Sequence, residues 1–123
     1  MCSESASFAL KKIFPGKKFI VQDSEYDCAM VKYAHNCFGA MKVNFFNQIY
    51  GQSKNYKRVR DGILSTGYIS QEHTNVPGPD GRFGYGGNCF LKDMYAFAHW
   101  MNKDSFLACV GENAQLRKHE IKE

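Results

Sequence analysis

The sequence lacks the cysteine pairs, the long apolar runs and the targeting segment that mark several common protein classes. No CxxC pair occurs among its five cysteines, so a zinc site or other metal site is not expected. Because their number is odd and their spacings are wide, a reducing compartment with buried thiols is favoured over a disulfide framework. No apolar run has the length of a transmembrane helix, and the N-terminus does not have the pattern of a signal peptide. We therefore expect a cytoplasmic protein with no membrane contact.

The sequence also lacks a basic stripe and a dinucleotide-binding motif. Its 16 basic and 12 acidic residues give a mild formal charge of +4, and no stripe of basic residues interleaved with aromatics occurs, so nucleic acid is not an expected partner. No G-x-G-x-x-G motif follows a strand, so no Rossmann cofactor domain is predicted. The 123 residues, of which 44% are hydrophobic, suffice for one domain with a packed core.

The pattern of apolar residues predicts a mainly α fold. Helices are expected over residues 25–50, 53–66, 90–101 and 105–119, with a glycine-rich loop over residues 67–88. Asp23 or Ser24 is expected to cap the first of these helices, Ser53 the second and Asp104 the last. The last helix is expected to turn Phe106, Leu107, Val110 and Ala114 inward. Residues 6–14 are compatible with a short helix, and residues 19–21 predict a short β-strand.

The long helix over residues 25–50 is apolar on nearly every side. Such a helix is buried, often at an oligomer interface, so we expect a homodimer through residues 25–50; a long core helix in a monomer is the alternative. Lys32, Asn36 and Asn47 form one narrow polar stripe on this helix. Because buried polar groups are costly unless satisfied, the stripe either faces a ligand or belongs to a structural network or a solvated face.

Cys89 falls at the point where the glycine-rich loop is expected to become a helix. Its sulfur would then lie near unpaired backbone N–H groups and the positive end of the helix dipole, which favour a thiolate. Asp93 follows four residues later, on the same helix face. These positions predict a nucleophile with a carboxylate beside it; the alternative is a cysteine that merely packs at the start of a helix.

The residues before Cys89 are suited to contact with a polar ligand. Gly84 and Gly86 allow the backbone to approach a ligand closely, and their N–H groups can bind phosphate or hydroxyl oxygens. Phe83 and Tyr85 offer flat faces for a base or a sugar. Without a ligand, the same pattern describes an ordinary glycine-rich turn.

Residues 84–93 read Gly-Tyr-Gly-Gly-Asn-Cys-Phe-Leu-Lys-Asp, and this segment resembles the signature around the nucleophilic cysteine of the UDP-glucose/GDP-mannose dehydrogenase family, most of all its UDP-glucose 6-dehydrogenases. The long helix resembles the same family in the positions of Lys32, Asn36, Lys42, Phe45 and Asn47. The resemblance covers about residues 19–121. It implies a helical central domain over residues 23–123, like that of 6-phosphogluconate dehydrogenase-type enzymes. It also implies that residues 1–22, with their short strand, are the end of a preceding NAD-binding domain.

The resemblance assigns roles to individual residues. Cys89 would add to the sugar aldehyde, and oxidation and hydrolysis of the adduct would complete the conversion of a 6-hydroxyl group to a carboxylate, with NAD as the oxidant. Lys32 would stabilise oxyanion charge, Asn36 would bond the same oxygen or its attacking water, and Asp93 would orient or activate that water. The implied substrate-binding residues are Phe83, Gly84, Tyr85, Gly86, Lys32 and Asn36, and the implied NAD contacts are Cys89 and Lys92.

The sequence departs from the family pattern at four positions. Leu91 stands where the family usually has proline, Ala29 and Gln48 where it has acidic residues, and His73 where a substrate-contacting arginine is common. Because no Rossmann motif is present, we expect the chain to be a partial nucleotide-sugar 6-dehydrogenase, inactive alone and dependent on separate Rossmann-domain polypeptides. UDP-glucose is the expected substrate, with GDP-mannose and UDP-N-acetylmannosamine open. The alternative is a non-catalytic dimerisation or interaction module derived from the family.

Overall fold

The computed structural model describes residues 4–18, 20 and 24–118, and these residues fold as helices joined by loops. The helices are α1 (Glu4–Ile13), α2 (Glu25–Gln52), α3 (Tyr56–Ser65), α4 (Asn88–Met101) and α5 (Asp104–Lys118). No strand occurs within the described ranges, so the expected mainly α fold is confirmed. The strand predicted over residues 19–21 falls largely on residues outside the described ranges, and Ile20 itself has no regular structure.

The chain divides into two compact units, Met1–His35 and Asn36–Glu123. In the first unit, α1 is followed by a turn at Gly16, whose φ of 82° suits glycine. The helix α2 then begins after Ser24, whose Oγ accepts the Asp27 N–H at 3.0 Å and donates to the Asp27 carboxylate at 2.6 Å. Ser24 is therefore the N-cap, one of the two residues that the sequence offered for this role.

In the second unit, the part of α2 from Asn36 onward packs against α4 and α5. The contact with α4 is close because Gly39 has no side chain, and a Cβ there would lie 2.6 Å from the ring of Phe90. The contact with α5 includes a 2.9 Å bond from the Asn44 amide to the Cys109 carbonyl. The buried apolar residues of this core are Cys37, Ala40, Phe46, Tyr85, Met94, Phe97, Ala98 and Cys109.

Two local sequence predictions are wrong. Ser53 does not cap α3, because its hydroxyl donates to the Ile49 carbonyl and so completes the end of α2. Asn55 is the cap instead, and its side chain accepts the Arg58 N–H at 3.2 Å. Likewise, α5 begins at Asp104, which therefore lies in the first turn rather than before it. Both differences arise within one or two residues of a helix end, where several polar side chains compete for the same backbone groups.

The inward face of α5 also differs from the sequence prediction. Ala114 is exposed, whereas Cys109 and Asn113 are buried. The rotation of α5 is fixed by polar contacts of Asn113 and Arg117 with the glycine-rich loop, which periodicity of apolar residues does not register. A polar residue thus takes a core position because its partners are backbone groups.

The loop between α3 and α4 is tied to the helices. Gly67 ends α3 with a φ of 71°, and Thr74, which is fully buried, accepts a hydrogen bond from the Tyr56 hydroxyl at its carbonyl. Lys42 of α2 donates to the carbonyl and the hydroxyl of Ser70 at 2.7 and 3.0 Å. The long loop is therefore anchored before it reaches the glycines.

Candidate active site at the start of helix α4

Cys89 lies in the first turn of α4, and its side chain is exposed. The helix begins at Asn88, preceded by Gly87 with a φ of 74°, a conformation that an L-amino acid rarely adopts. The glycine therefore allows the chain to turn sharply from the loop into α4. The predicted change from loop to helix at Cys89 is observed, and its thiol lies where backbone N–H groups of the first turn have no helical acceptor.

The other described cysteines are free thiols in different surroundings. Cys28 is half-buried, and Cys37 and Cys109 are buried. Burial, together with the charge of Asp93, raises the pKa of the Cys37 thiol to about 11. Burial, followed by the charge of Glu112, raises the pKa of Cys109 to about 11 as well. Both buried thiols therefore stay protonated near neutral pH, which leaves Cys89 as the exposed thiol of the described chain.

Asn36 and Asp93, two of the predicted catalytic residues, are in direct contact. The Asn36 amide donates to one carboxylate oxygen of Asp93 at 2.7 Å, and Lys92 donates to the other at 2.7 Å. Asp93 is fully buried, so these donors replace the water that its charge would otherwise require. Its backbone carbonyl also accepts the Cys37 thiol at 3.6 Å. The carboxylate is therefore held in one orientation, one turn beyond Cys89 on α4.

Lys32, the third polar candidate on α2, belongs to the other compact unit. Its ammonium group lies over the ring of Tyr33, 5.1 Å from the centroid. The approach of Lys32 to Cys89 stays a prediction.

The glycine-rich loop is bound by side chains from α2 and α5. The Gly84 N–H donates to Asn47 at 3.1 Å, and Arg117 donates to the Gly84 carbonyl at 3.0 Å. The Tyr85 N–H donates to Asn113 at 2.7 Å, and the Asn113 amide donates back to the Tyr85 carbonyl at 3.0 Å. Four consecutive backbone polar groups are thus satisfied within the chain. Of the alternatives for Asn47, the structural network is the one observed.

The predicted ligand-contacting residues of this loop differ in accessibility. The ring of Tyr85 is 4% exposed and belongs to the core, and burial raises the pKa of its hydroxyl. Gly84 is buried too, whereas Phe83 and Gly86 are half-buried. Phe83 packs on Tyr50, with 5.5 Å between ring centroids. The rings of Tyr85 and Phe83 therefore anchor the loop to the helices.

Two cavities flank the backbone of Gly86 and Gly87. The smaller, of about 440 Å³, is lined among others by His73, Asn75 and Phe90. The ring of His73 meets that of Phe90 edge to face, with 5.1 Å between the ring centroids. The larger, of about 950 Å³, is an open groove along α4 and α5 that includes Lys92 in its lining. Polar groups and apolar walls meet in both cavities, as in small-molecule sites.

Sequence reasoning gave no role to Asn113 or Arg117. Asn113 is 3% exposed, and Arg117 bonds both the loop and the Asp80 carboxylate, the latter at 2.8 Å. A signal for Asn113 was its position four residues after Cys109, which places both residues on the same helix face.

Within the described ranges, no cluster of three or more His, Cys, Asp or Glu side chains is arranged to hold a metal ion. Of the helices described, none combines the length and the hydropathy that crossing a bilayer requires.

Comparison with known proteins identifies similar sequences. The model of the central domain of the UDP-glucose/GDP-mannose dehydrogenase family matches residues 27–115. A UDP-glucose 6-dehydrogenase of Rickettsia conorii is 35% identical over 94 residues, which cover 71% of this chain and 20% of the relative. A UDP-glucose 6-dehydrogenase of Rhizobium meliloti is 39% identical over 71 residues, covering 54% of this chain and 15% of the relative. The chain thus spans a fifth or less of the length of these relatives. No solved structure matches it significantly.

Proposed function

Because the chain belongs to the UDP-glucose/GDP-mannose dehydrogenase family, whose central domain it matches over residues 27–115, we propose that it supplies the catalytic segment of a nucleotide-sugar 6-dehydrogenase with Cys89 as the nucleophile. One observation carries this proposal. Asn36 and Asp93, which are 57 residues apart in sequence, form a 2.7 Å hydrogen bond one helical turn from the exposed thiol of Cys89. A pairing of this kind suits a reaction centre better than an ordinary helix contact, because it places a charged group in the core.

In the proposed reaction, the Cys89 sulfur adds to the carbonyl carbon of a sugar 6-aldehyde. A carbon–sulfur bond forms, the carbonyl oxygen takes up a proton, and a thiohemiacetal results. Its oxidation gives a thioester, which water attacks; the carbon–sulfur bond then breaks, and a carboxylate and the thiol are released. NAD, when bound, would accept a hydride in each of two oxidations: that of the 6-hydroxyl group to the aldehyde and that of the thiohemiacetal to the thioester.

Asn36 and Asp93 divide the work beside this thiol. One N–H of the Asn36 amide is bonded to Asp93, and the amide has a second N–H and an oxygen with which to bond the substrate oxygen or the attacking water. Asp93 is fully buried. We therefore propose that it orients Asn36 and this water, and that it does not exchange protons directly with solvent. Lys32 is proposed to stabilise the negative charge that develops on the substrate oxygen.

The side chains proposed to contact NAD suit that ligand. Cys89 is exposed, and the Lys92 side chain is 63% exposed while it bonds Asp93, so its ammonium group can also face an anionic group. The remaining cofactor contacts are proposed to come from a Rossmann domain outside these 123 residues. For the nucleotide sugar, with UDP-glucose as the first candidate, the cavity of about 440 Å³ beside Gly86 is the proposed site.

The chain is also proposed to form a homodimer through α2. Within the second unit, Phe38 is 70% exposed and Phe45 is 48% exposed, and their spacing of seven residues places both rings on one face of α2. Exposed aromatic residues in a row indicate a protein interface. This face also supports the second candidate function, a non-catalytic dimerisation module in which Cys89 has no chemical role.

Alkylation kinetics distinguish the two functions. We expect iodoacetamide to modify Cys89 faster than it modifies a cysteine placed at Tyr95 in a Cys89→Ser, Tyr95→Cys variant, measured by intact-mass spectrometry near neutral pH. Tyr95 is 57% exposed on the same helix, away from its amino end, so the variant controls for accessibility. The helix end should accelerate the reaction by about two- to fivefold. Equal rates would contradict the proposed nucleophile and favour the non-catalytic module.

A further inference from the structure

We propose that Asn113 is a positioning residue for the thiol of Cys89. By binding both backbone polar groups of Tyr85, it fixes the point from which the chain enters α4. This inference rests on the proposed role of Cys89 as nucleophile and extends it to a residue of α5 that contacts no substrate.

The side chain of Asn113 has the geometry of a clamp. Its oxygen accepts the Tyr85 N–H at 2.7 Å, and its nitrogen donates to the Tyr85 carbonyl at 3.0 Å. The side chain is 3% exposed, so water does not compete for these bonds. A donor and an acceptor are both needed, and near neutral pH an amide supplies both, whereas an ionised carboxylate of the same size only accepts.

Two further side chains, those of Asn47 and Arg117, and the glycine at residue 84 complete the clamp. Asn47 and Arg117 bind the N–H and the carbonyl of Gly84 at 3.1 and 3.0 Å. A Cβ on Gly84 would overlap the Asn113 oxygen, so the amide lies as close to the loop as a glycine permits. The loop is therefore held from α2 and from α5 at adjacent residues.

The clamped residues are close to the thiol along the chain. Three residues, 86–88, separate Tyr85 from Cys89, and α4 begins within them at Asn88. Such a short connection transmits the position of Tyr85 to the first turn of α4, where the thiol meets unpaired N–H groups. Release of Tyr85 would let this turn fray and would remove the favourable field around the sulfur.

The variant Asn113→Asp tests the inference. Near neutral pH, the introduced carboxylate has no hydrogen to donate. An oxygen replaces the nitrogen of Asn113, so two acceptor oxygens, that of the carboxylate and that of the Tyr85 carbonyl, face each other and repel. We expect the alkylation rate of Cys89 in the full chain to fall by about two- to fivefold relative to the unchanged chain at about pH 8. Burial raises the pKa of such a carboxyl group. On acidification towards about pH 5 its protonated form can donate again, so the ratio of the two rates should return towards one.

A matched control separates positioning from general loss of stability. Phe97 is 6% exposed on α4, eight residues beyond Cys89, and its ring contacts those of Trp100 and Phe106. Phe97→Leu should lower the melting temperature without changing the alkylation rate of Cys89. If Asn113→Asp does not fold by circular dichroism, Arg117→Gln, which removes one bond to Gly84, is measured instead and should lower the rate in the same direction.

The outcomes are distinct. A rate ratio of one at every pH in a folded variant would overturn the positioning role, and so would a faster reaction, since that would show a thiol that is merely more accessible. Failure of the proposed function itself is read separately, from equal rates for Cys89 and the Tyr95→Cys thiol in the chain with native Asn113.

Discussion

Replacement of Gly84 by alanine should destabilise the fold far more than a glycine-to-alanine change normally does. Gly84 has a φ of 70°, which costs an L-amino acid about 1–2 kcal/mol. The added Cβ would also overlap the Asn113 oxygen and lie 3.3 Å from the Leu116 Cβ. Asn113 cannot retreat without loss of its two bonds to Tyr85.

The magnitude follows from these two terms. Displacement of Asn113 leaves buried polar groups unsatisfied, at about 1–3 kcal/mol. With the backbone strain, the expected loss in free energy of unfolding is about 2–5 kcal/mol, a large fraction of the typical stability of a domain. Gly111→Ala is the matched control, because Gly111 is exposed within α5 and a Cβ there would meet no atom within 4 Å. That change should stabilise the chain by about 0.5–1 kcal/mol, since alanine loses less conformational entropy in a helix.

Urea unfolding at one fixed protein concentration measures both variants. The fluorescence of Trp100, the single tryptophan, and the far-ultraviolet circular dichroism signal should give coincident transitions if unfolding is two-state. The fixed concentration removes the effect of association on apparent stability. A Gly84→Ala midpoint equal to that of the unchanged chain would refute the clamp geometry, because neither the overlap nor the positive φ could then exist in solution.

Two further predictions concern association and pH. Phe38→Asp should raise the dissociation constant of the proposed homodimer at least about tenfold, because each copy would lose an aromatic contact that the dimer buries. Light scattering measures this change. The control is Tyr68→Asp, a change at a 91% exposed aromatic residue outside α2. Persistence of the dimer in Phe38→Asp would exclude this face. The unfolding midpoint should fall as pH rises from about 9 to about 11, because the folded chain keeps the protons of Cys37 and Cys109, whose pKa is raised from 9.0 to about 11, while the unfolded chain loses them. The stabilisation that comes from these two protonated thiols is fully present below about pH 9 and is lost as the pH rises from about 9 to about 11. Replacement of both thiols by alanine should reduce the dependence of the unfolding midpoint on pH in this range.

Local signals in the sequence predicted the elements that local chemistry determines. Ser24 has a carboxylate three residues later, and the two side chains cap α2 without help from the rest of the chain. Glycines with positive φ at residues 67 and 87 end α3 and precede α4, as the turn preferences of glycine predicted. The start of α4, and with it the place of Cys89 near the amino end of that helix, could therefore be predicted from the order of the residues.

Burial and long-range contacts could not be predicted in the same way. Tyr85 and Phe83 lie two residues apart in the same loop and have similar rings, yet Tyr85 is in the core and Phe83 is half-buried. The difference arises because α2 and α5 approach the loop from fixed directions. Nothing near Ala114 or Asn113 shows which of the two faces inward, since an amide becomes a core residue only where a distant backbone segment supplies its partners. The contact between Asn36 and Asp93 followed from no local pattern either, and resemblance to a family was the only ground on which both residues were singled out together.

The polar residues of the core divide by charge in a way that bears on function. Asn44, Asn47 and Asn113 bind backbone groups, and an uncharged amide does so at a far smaller desolvation cost than an ion would. Asp93, a fully buried charged residue, instead accepts hydrogen bonds from side chains at both carboxylate oxygens, one from Asn36 and one from Lys92. We therefore propose that the charge of Asp93 serves the reaction by orienting Asn36 and the attacking water, whereas Asn44, Asn47 and Asn113 hold the backbone in place. A peptide of residues 81–93 alone would contain Cys89 and Asp93 but none of the amides from α2 and α5, so its thiol should react no faster than an unstructured cysteine.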